Sequence, residues 1–309
     1  MDRPLFFAAP GNDEIARRLS DATGGEIGLA RMRRFPDGES YVRIDTRPAG
    51  RDVAVVCTLD RPDGKVVPAL FLAEAARELG AERVGLVAPY LPYLRQDRRF
   101  RDGEGLTSRY FARLLSGAFD WLVAVDPHLH RYASLAEIYS IPTTAVHVAP
   151  AIGAWVAANV REPLIVGPDV ESEQWAAAVG TAAGAPVVLL EKTRYSDMEV
   201  EVTVPEAAAH RGRTPVLVDD IISTAQTMIA TIRHLTDVGL RGAVCAAVHG
   251  VFAGEAYDGL LSAGAERVIT CNTIPHPSNA VDVVPLIATS VADRLGGARP
   301  SVLRTHIGA

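Results

Sequence analysis

Residues 216–228 read VLVDDIISTAQTM. Val216, Leu217 and Val218 form the short apolar, β-branched run expected of a buried strand. The run ends on two carboxylates, Asp219 and Asp220, then passes through small hydroxyl residues into a predicted helix over Thr224–Val238. Met228, Ile232 and Leu235 recur there at i, i+4 and i+7, and Gly239 supplies a stop. A strand leading through a short loop into a helix is half of a parallel α/β unit. The helix start presents unpaired N–H groups and the positive end of the macrodipole to an anion. The acids oppose that use. At an effective dielectric near 20, two unit charges roughly 6 Å apart repel by about 3 kcal/mol, more than the ~0.3–2 kcal/mol of a helix end. A ligand with a phosphate at one end and neutral hydroxyls a few ångströms away resolves the conflict. Thr224, Ala225, Gln226 and Thr227 then donate to the phosphate, while Asp219 and Asp220 accept from vicinal hydroxyls. A sugar phosphate fits, and a nearby divalent metal would offset the remaining repulsion. The plainer alternative is a strand–turn–helix with Ser223 as N-cap.

The same alternation extends along nearly the whole chain. Strands are expected at Asp52–Leu59, Arg83–Tyr90, Trp121–Asp126, Pro163–Pro168, Pro186–Glu191, Pro215–Asp219, Ala243–Val248 and Arg267–Cys271. Helices are expected at Val66–Leu79, Thr107–Leu115, Ala149–Asn159, Glu171–Ala183, Thr224–Val238 and Val283–Leu295. This is an α/β chain with largely parallel sheets. Both halves follow the pattern, with a boundary near Ile141–Ala149, giving domains 1–146 and 147–309. Ligands of open α/β sheets bind beyond the carboxyl ends of the strands. Three strands deliver acids there, at Asp126, Asp169 and Asp219-Asp220. One such acid is commonly a cap or turn residue; three at equivalent positions point to a site.

With 309 residues and 48% hydrophobic content, the chain can bury a large core. No apolar stretch approaches the roughly 18–20 residues of a membrane span, and MDRPLFFAAPGN has too short an apolar run for a signal peptide. A cytoplasmic location is expected. The net charge of −6 argues against a broad nucleic-acid surface but not against an anionic small molecule, because a site's field is set locally. Cys57, Cys245 and Cys271 form no close pair, excluding a zinc knuckle and a CxxC redox site. No GxxxxGK[ST] is present, so a Walker-type nucleotide site is excluded.

VLVDDIISTAQTM resembles the phosphoribosyl-binding loop shared by type I phosphoribosyltransferases and ribose-phosphate pyrophosphokinases. RRFPDGESYVRI (33–44) and APYLPYLRQDRRF (88–100) resemble segments characteristic of the pyrophosphokinase family. Further matches are VDPHLH (125–130), GPDVESEQ (167–174), EKTR (191–194) and TCNTIP (270–275), in the family's order. The resemblance implies two tandem type I phosphoribosyltransferase-like domains and transfer of the diphosphoryl group of Mg-ATP to the 1-hydroxyl of ribose 5-phosphate, with release of AMP. It implies Phe35, Asp37, Gly38 and Glu39 on the adenine of ATP, from a neighbouring subunit of a dimer or hexamer. Arg95, Gln96 and Asp97 would serve ATP, with Asp97 orienting the donors. His128 and Asp169 would hold Mg2+, with His130 a nearby candidate. Lys192 and Arg194 would be catalytic, ahead of a flap, stabilising charge on the transferring group. Asp219 and Asp220 would hold the ribose hydroxyls, and Ser223, Thr224, Ala225, Gln226 and Thr227 its 5-phosphate.

Two departures bear on these expectations. The common family loop is DDxxDTxGT, whereas Ser223 and Gln226 stand here at the third acid and the glycine. If that glycine position needs a positive φ, Gln226 would be strained. DPHLHRYASLAEIY replaces the usual DLHAxQIQGFF, which bears on phosphate and ADP regulation and on hexameric packing. A catalytically silent regulatory paralogue, a ribose-phosphate kinase and a phosphoribosyltransferase are the rival readings.

Overall fold

The computed structural model describes residues 3–167, 172–194, 200–203 and 210–296. Its first half contains β1 (Leu5–Ala8), α1 (Asp13–Thr23), β2 (Glu26–Ile27), β3 (Ala30–Arg34), β4 (Ser40–Ile44) and β5 (Asp52–Val56). There follow α2 (Asp63–Glu78), β6 (Arg83–Ala88), α3 (Thr107–Ala118), β7 (Trp121–Val125) and β8 (Thr143–Val146). Strands β2-β1-β5-β6-β7-β8 form one parallel sheet in that order. β3 and β4 stand apart as an antiparallel hairpin.

The second half repeats the scheme with α4 (Ala149–Asn159), β9 (Pro163–Gly167), α5 (Glu173–Ala183) and β10 (Val187–Leu189). The hairpin strands β11 (Glu191–Arg194) and β12 (Val200–Thr203) come next, then β13 (Thr214–Ile222) and α6 (Gln226–Asp237). β14 (Ala243–Gly250), α7 (Ala256–Ser262), β15 (Ala265–Cys271), β16 (Asn279–Val281) and α8 (Val284–Gly296) complete it. Its parallel sheet runs β10-β9-β13-β14-β15-β16. Among the described residues no helix is long and apolar enough to cross a membrane.

Several boundaries differ from expectation. The opening strand is longer, running through both acids to Ile222, and its helix begins at Gln226 instead of Thr224. Cross-strand bonding to β14 extends β13, a contact that local sequence does not reveal. The expected Pro186–Glu191 strand shortens to Val187–Leu189, because Glu191 starts a separate hairpin. The strand at Leu5–Ala8 and the helix at Asp13–Thr23 were not anticipated. The helix signal was present, with Asp13 and Glu14 in the first turn, Ile15 and Leu19 buried, and Gly24 at φ 69 as the stop.

The inner faces of both sheets share one core, in which Phe6, Val56, Val123, Ile152, Val216, Val244 and Ile287 belong to a single cluster. The outer face of the first sheet is covered by α2 and α3, that of the second by α6 and α7. The last described helix, α8, crosses back to pack on α1, β7 and β8. It buries Val284, Ile287, Ala288 and Val291, at i, i+3, i+4 and i+7, about 1.5–3 kcal/mol for each large side chain removed from water. Arg294 Nε donates to Thr144 Oγ1 at 2.9 Å, and Arg83 Nη2 donates to the Leu295 carbonyl at 3.1 Å.

Asp282 precedes α8 and ties it to α1. Its carboxylate accepts from Arg18 Nη1 at 3.0 Å, from Asn272 Nδ2 at 2.8 Å and from the Val284 N–H at 3.2 Å. Burial works against its charge, but the bonds from Arg18, Asn272 and Val284 outweigh it and hold the carboxyl below its ordinary range. A depressed folded pKa contributes stability above the unfolded value, near 4, and loses it as pH falls through the folded value. Wild type and Asp282→Asn should therefore differ in Tm at neutral pH and approach one another as the pH falls through the depressed folded value. Parallel melting curves from pH 3 to 7 would remove Asp282 from the acid sensitivity of the fold.

Candidate active site

The carboxyl ends of the two sheets face one another. Tyr90, just beyond β6, packs with Ile221 of β13 and Ile274 beyond β15. The Thr58 hydroxyl, beyond β5, donates to the Thr273 carbonyl at 2.5 Å. The loops beyond β5, β6, β13 and β15 therefore meet at a junction built by both halves.

On the second-half side, Arg95 shares a cavity of about 90 Å³ with Asp219, Ile221, Ile222, Ser223, Thr224, Ala225, Gln226, Thr227 and Met228. The backbone of the loop is pinned from behind. The Ile222 carbonyl accepts from the Val251 and Phe252 N–H groups, each at 3.0 Å, and the Ser223 carbonyl accepts from the Ala253 N–H at 3.0 Å. The first-turn N–H groups of α6 have no partner within the helix and face the cavity end. The left-handed residue is Ala225, at φ 61 and ψ 5 as the N-cap. Gln226 opens the helix with no positive φ among the backbone exceptions, so the anticipated strain sits one residue earlier. A Cβ in the left-handed region costs about 1–2 kcal/mol. Ala225→Gly should raise Tm by a degree or two, since the relief slightly exceeds the entropy of a new glycine, about 0.4–1 kcal/mol. A lower Tm by calorimetry would contradict it.

The paired acids part company. Successive strand residues point to opposite faces, and Asp219 lines the cavity while Asp220 turns to the first half. His128 Nδ1 lies 2.6 Å from Asp220 Oδ2. Burial opposes the Asp220 charge, but the hydrogen bond and charge of His128, with further help from Asp219, hold the carboxyl below its usual range. Repulsion between the neighbouring acids is thus offset by an imidazole from the other sheet. His130 stacks on His128 with ring centroids 3.7 Å apart. Donor atoms of His128, His130 and Asp220 lie within 4.8 Å of one another, a set that could hold a metal ion. Imidazole suits ions such as Zn2+ or Ni2+, whereas Mn2+ and Mg2+ favour oxygen ligands. Mg2+ takes one or two protein carboxylates and completes its shell with phosphate and water, and Asp220 offers one such carboxylate. Asp169, expected as the partner of His128, lies outside the described residues.

The other expected residues are dispersed. Gln96 Oε1 accepts from Thr107 Oγ1 at 2.9 Å, at the start of α3, instead of entering the cavity. Asp97, expected to orient Arg95 and Gln96, faces Arg131, with Oδ1 3.6 Å from Nε. Phe35, Asp37, Gly38 and Glu39 form the tip of the β3–β4 hairpin, closed by the Phe35 N–H to the Glu39 carbonyl at 2.8 Å and by Gly38 at φ 95. Arg34 Nη2 donates to the Gly64 carbonyl at 2.9 Å, holding the hairpin on α2. Phe35 is 38% exposed, under the Arg33 guanidinium at 4.5 Å, and none of the four tip residues lines the cavity. Lys192 and Arg194 lie on β11, opposite Val202 and Val200.

Missed from sequence were Thr58, Tyr90, His249 and Thr273, all buried at the junction. A search for acids at strand ends passes over hydroxyls and a histidine, although each follows or ends an apolar run.

A family model described as the N-terminal domain of ribose phosphate pyrophosphokinase matches residues 5–118. One described as the phosphoribosyl transferase domain matches residues 134–286. The chain is similar to the ribose-phosphate pyrophosphokinase of Methanopyrus kandleri, with 35% identity over 94% of this chain and 100% of that protein. It is similar to that of Thermococcus kodakarensis, with 35% identity over 91% of this chain and 98% of that one. The crystal structure of phosphoribosylpyrophosphate synthetase from Mycobacterium smegmatis superposes with a TM-score of 0.83 at 25% identity, covering 95% of this chain and 99% of that one.

Proposed function

The chain belongs to the ribose-phosphate pyrophosphokinase family, and from that premise we propose that it transfers the diphosphoryl group of ATP to the 1-hydroxyl of ribose 5-phosphate. The products are phosphoribosyl diphosphate, a precursor for nucleotide biosynthesis, and AMP. One observation carries this reading: Asp219, Arg95 and the 223–227 loop line a single cavity. That cavity brings together a hydroxyl acceptor, a cation and an N–H cradle, the groups that a pentose phosphate and an incoming diphosphate require.

In this reading Ser223, Thr224, Ala225, Gln226 and Thr227 hold the 5-phosphate, and Asp219 holds ribose hydroxyls, orienting the 1-hydroxyl for in-line attack. Arg95 neutralises phosphate charge, with Gln96 and Asp97 securing the segment that carries it. Lys192 and Arg194 stabilise the charge that develops on the transferring group. Mg2+ would be held by His128 and Asp169, with Asp220 adjoining, and when bound would neutralise the diphosphate. Phe35, Asp37, Gly38 and Glu39 take the adenine of a neighbouring subunit's ATP, which accounts for an exposed tip outside its own cavity. The protein is then a cytoplasmic homo-oligomer, dimer or hexamer, with shared sites. The division at 146/147 separates an ATP side from a ribose 5-phosphate side, with α8 returning to the former.

Purified protein incubated with Mg-ATP and ribose 5-phosphate should yield AMP only when both substrates are present. ADP would indicate a ribose-phosphate kinase, and no turnover a silent paralogue. Sedimentation would detect an obligate monomer, which would remove the shared site.

A further inference from the structure

A line of buried polar groups crosses the junction between the sheets. Asn12, Thr58, His249 and Thr273 are each at most 2% exposed. Asn12 Oδ1 accepts from the Thr58 N–H at 2.8 Å, and His249 Nδ1 lies 2.8 Å from Thr273 Oγ1. His249 Nε2 stands 3.0 Å from the Val125 carbonyl and 3.4 Å from that of Asp126. His249 and Thr273 belong to the second half, Thr58, Val125 and Asp126 to the first. A polar group buried this deeply is costly when unpaired, so each donor has to be accounted for.

That accounting fixes the tautomer. Nε2 faces only carbonyl oxygens and must carry the proton. Burial pushes the ring's pKa down, against the opposing pull of Asp220 and Asp126, which keeps the imidazole neutral. Nδ1 therefore accepts, and the lone Thr273 hydroxyl proton goes to it in preference to the Val248 carbonyl, 3.0 Å away.

We propose that His249 is a positioning residue, whose Nε2–H bond to the Val125 carbonyl holds the strand end that delivers His128 to Asp220. Both ends of the link are local. His128 follows Val125 by three residues, and Ile221, beside Asp220, pairs with His249 in the β13–β14 register. Tyr90 packs edge-on against the imidazole, with centroids 4.9 Å apart at 67°, and hinders its rotation. Asp126 adopts φ 29, a sparsely populated conformation. It is held there from both sides, because its carboxylate also accepts from the Val148 N–H at 2.9 Å. Without the His249 bond, the carbonyl side of that strained residue is free to relax, and His128 moves with it.

Only the kinetic arm of the test rests on the proposed reaction. Nitrogen NMR of the intact protein should show His249 as the neutral Nε2–H tautomer; an Nδ1–H ring overturns the proposal without any variant. Crystal structures of His249→Leu and His249→Gln should differ, because the glutamine amide can still donate toward Val125. The His128–Asp220 contact, 2.6 Å in the wild type, should open in the leucine variant and survive in the glutamine variant. Turnover should fall about tenfold or more in His249→Leu with the KM for ribose 5-phosphate within about twofold, and recover in His249→Gln. An intact contact in a folded His249→Leu, or equal losses in both variants, overturns it. Should His249→Leu fail to fold, the NMR arm and His249→Gln still decide: loss of the His128–Asp220 contact in a glutamine variant whose amide donates to the Val125 carbonyl overturns the proposal. A wild type without turnover would end the functional reading while the NMR and crystallographic arms still decide this one.

Discussion

Asp219→Asn is expected to lower kcat/KM for ribose 5-phosphate by about two orders of magnitude while Tm stays within a few degrees. Asp219 lines the cavity with Arg95 and residues 223–227, and in the proposed function its carboxylate meets the ribose hydroxyls, whereas Asp220 is engaged by His128. A hydrogen bond to a charged group contributes roughly 1.5–3 kcal/mol. The amide keeps one acceptor oxygen, loses the charge and places two donors against hydroxyls. A loss of about 3 kcal/mol corresponds to a factor of about 150. Much of the fold is indifferent to the change, because the intrastrand bond from the Asp220 N–H to Asp219 Oδ1, at 2.9 Å, can be kept by the asparagine oxygen. Steady-state kinetics with ribose 5-phosphate varied would decide, and a loss under about fivefold would take Asp219 out of the sugar site.

Gly85→Ala is expected to be the most damaging small substitution for stability. Gly85 of β6 pairs with Trp121 of β7, and a Cβ at Gly85 would lie 1.9 Å from Trp121 Cε2 and 2.2 Å from Cδ2. Trp121 is 2% exposed within the core shared by both sheets, so its indole has nowhere to withdraw. Forcing extra volume into a packed core costs about 1–3 kcal/mol and sometimes more. At roughly 2 °C per kcal/mol for a chain of this size, Tm should fall by about 2–6 °C. The near-UV circular dichroism of Trp121 should change with it. A melting point within a degree of wild type would mean that the two strands separate more readily than their packing suggests.

Much of the architecture is legible before any contact is known. Apolar runs such as Val216–Val218 and spacings such as Met228, Ile232 and Leu235 identified strands and helices, because burial on one face imposes a period on local sequence. Elements with weaker periods escaped. β1 is four residues long, and β3 is too charged to read as a strand until its pairing with β4 is seen. The strand–loop–helix was readable as well, since small hydroxyl residues ahead of an amphipathic helix mark a helix start in one dimension, and the structure sets that loop on a cavity. The conformation inside it was not readable: positive φ falls on Ala225 and not on Gln226, in a loop whose Ile222 and Ser223 carbonyls are held by the Val251–Ala253 backbone.

The sequence by itself determined the parallel α/β scheme, the two-part chain and the presence of a loop with acids at one end and N–H donors at the other. Those properties follow from periodicity and side-chain chemistry, which neighbours in the chain carry. Only the tertiary structure decided that Asp219 and Asp220 serve different partners, that α8 returns to the first sheet, and that His249 bridges two strand ends. Each depends on groups more than a hundred residues away in one chain, or on which face of a strand meets which wall. Local sequence has no record of either, because the energy that fixes them is gained only when the two sheets close on a common core.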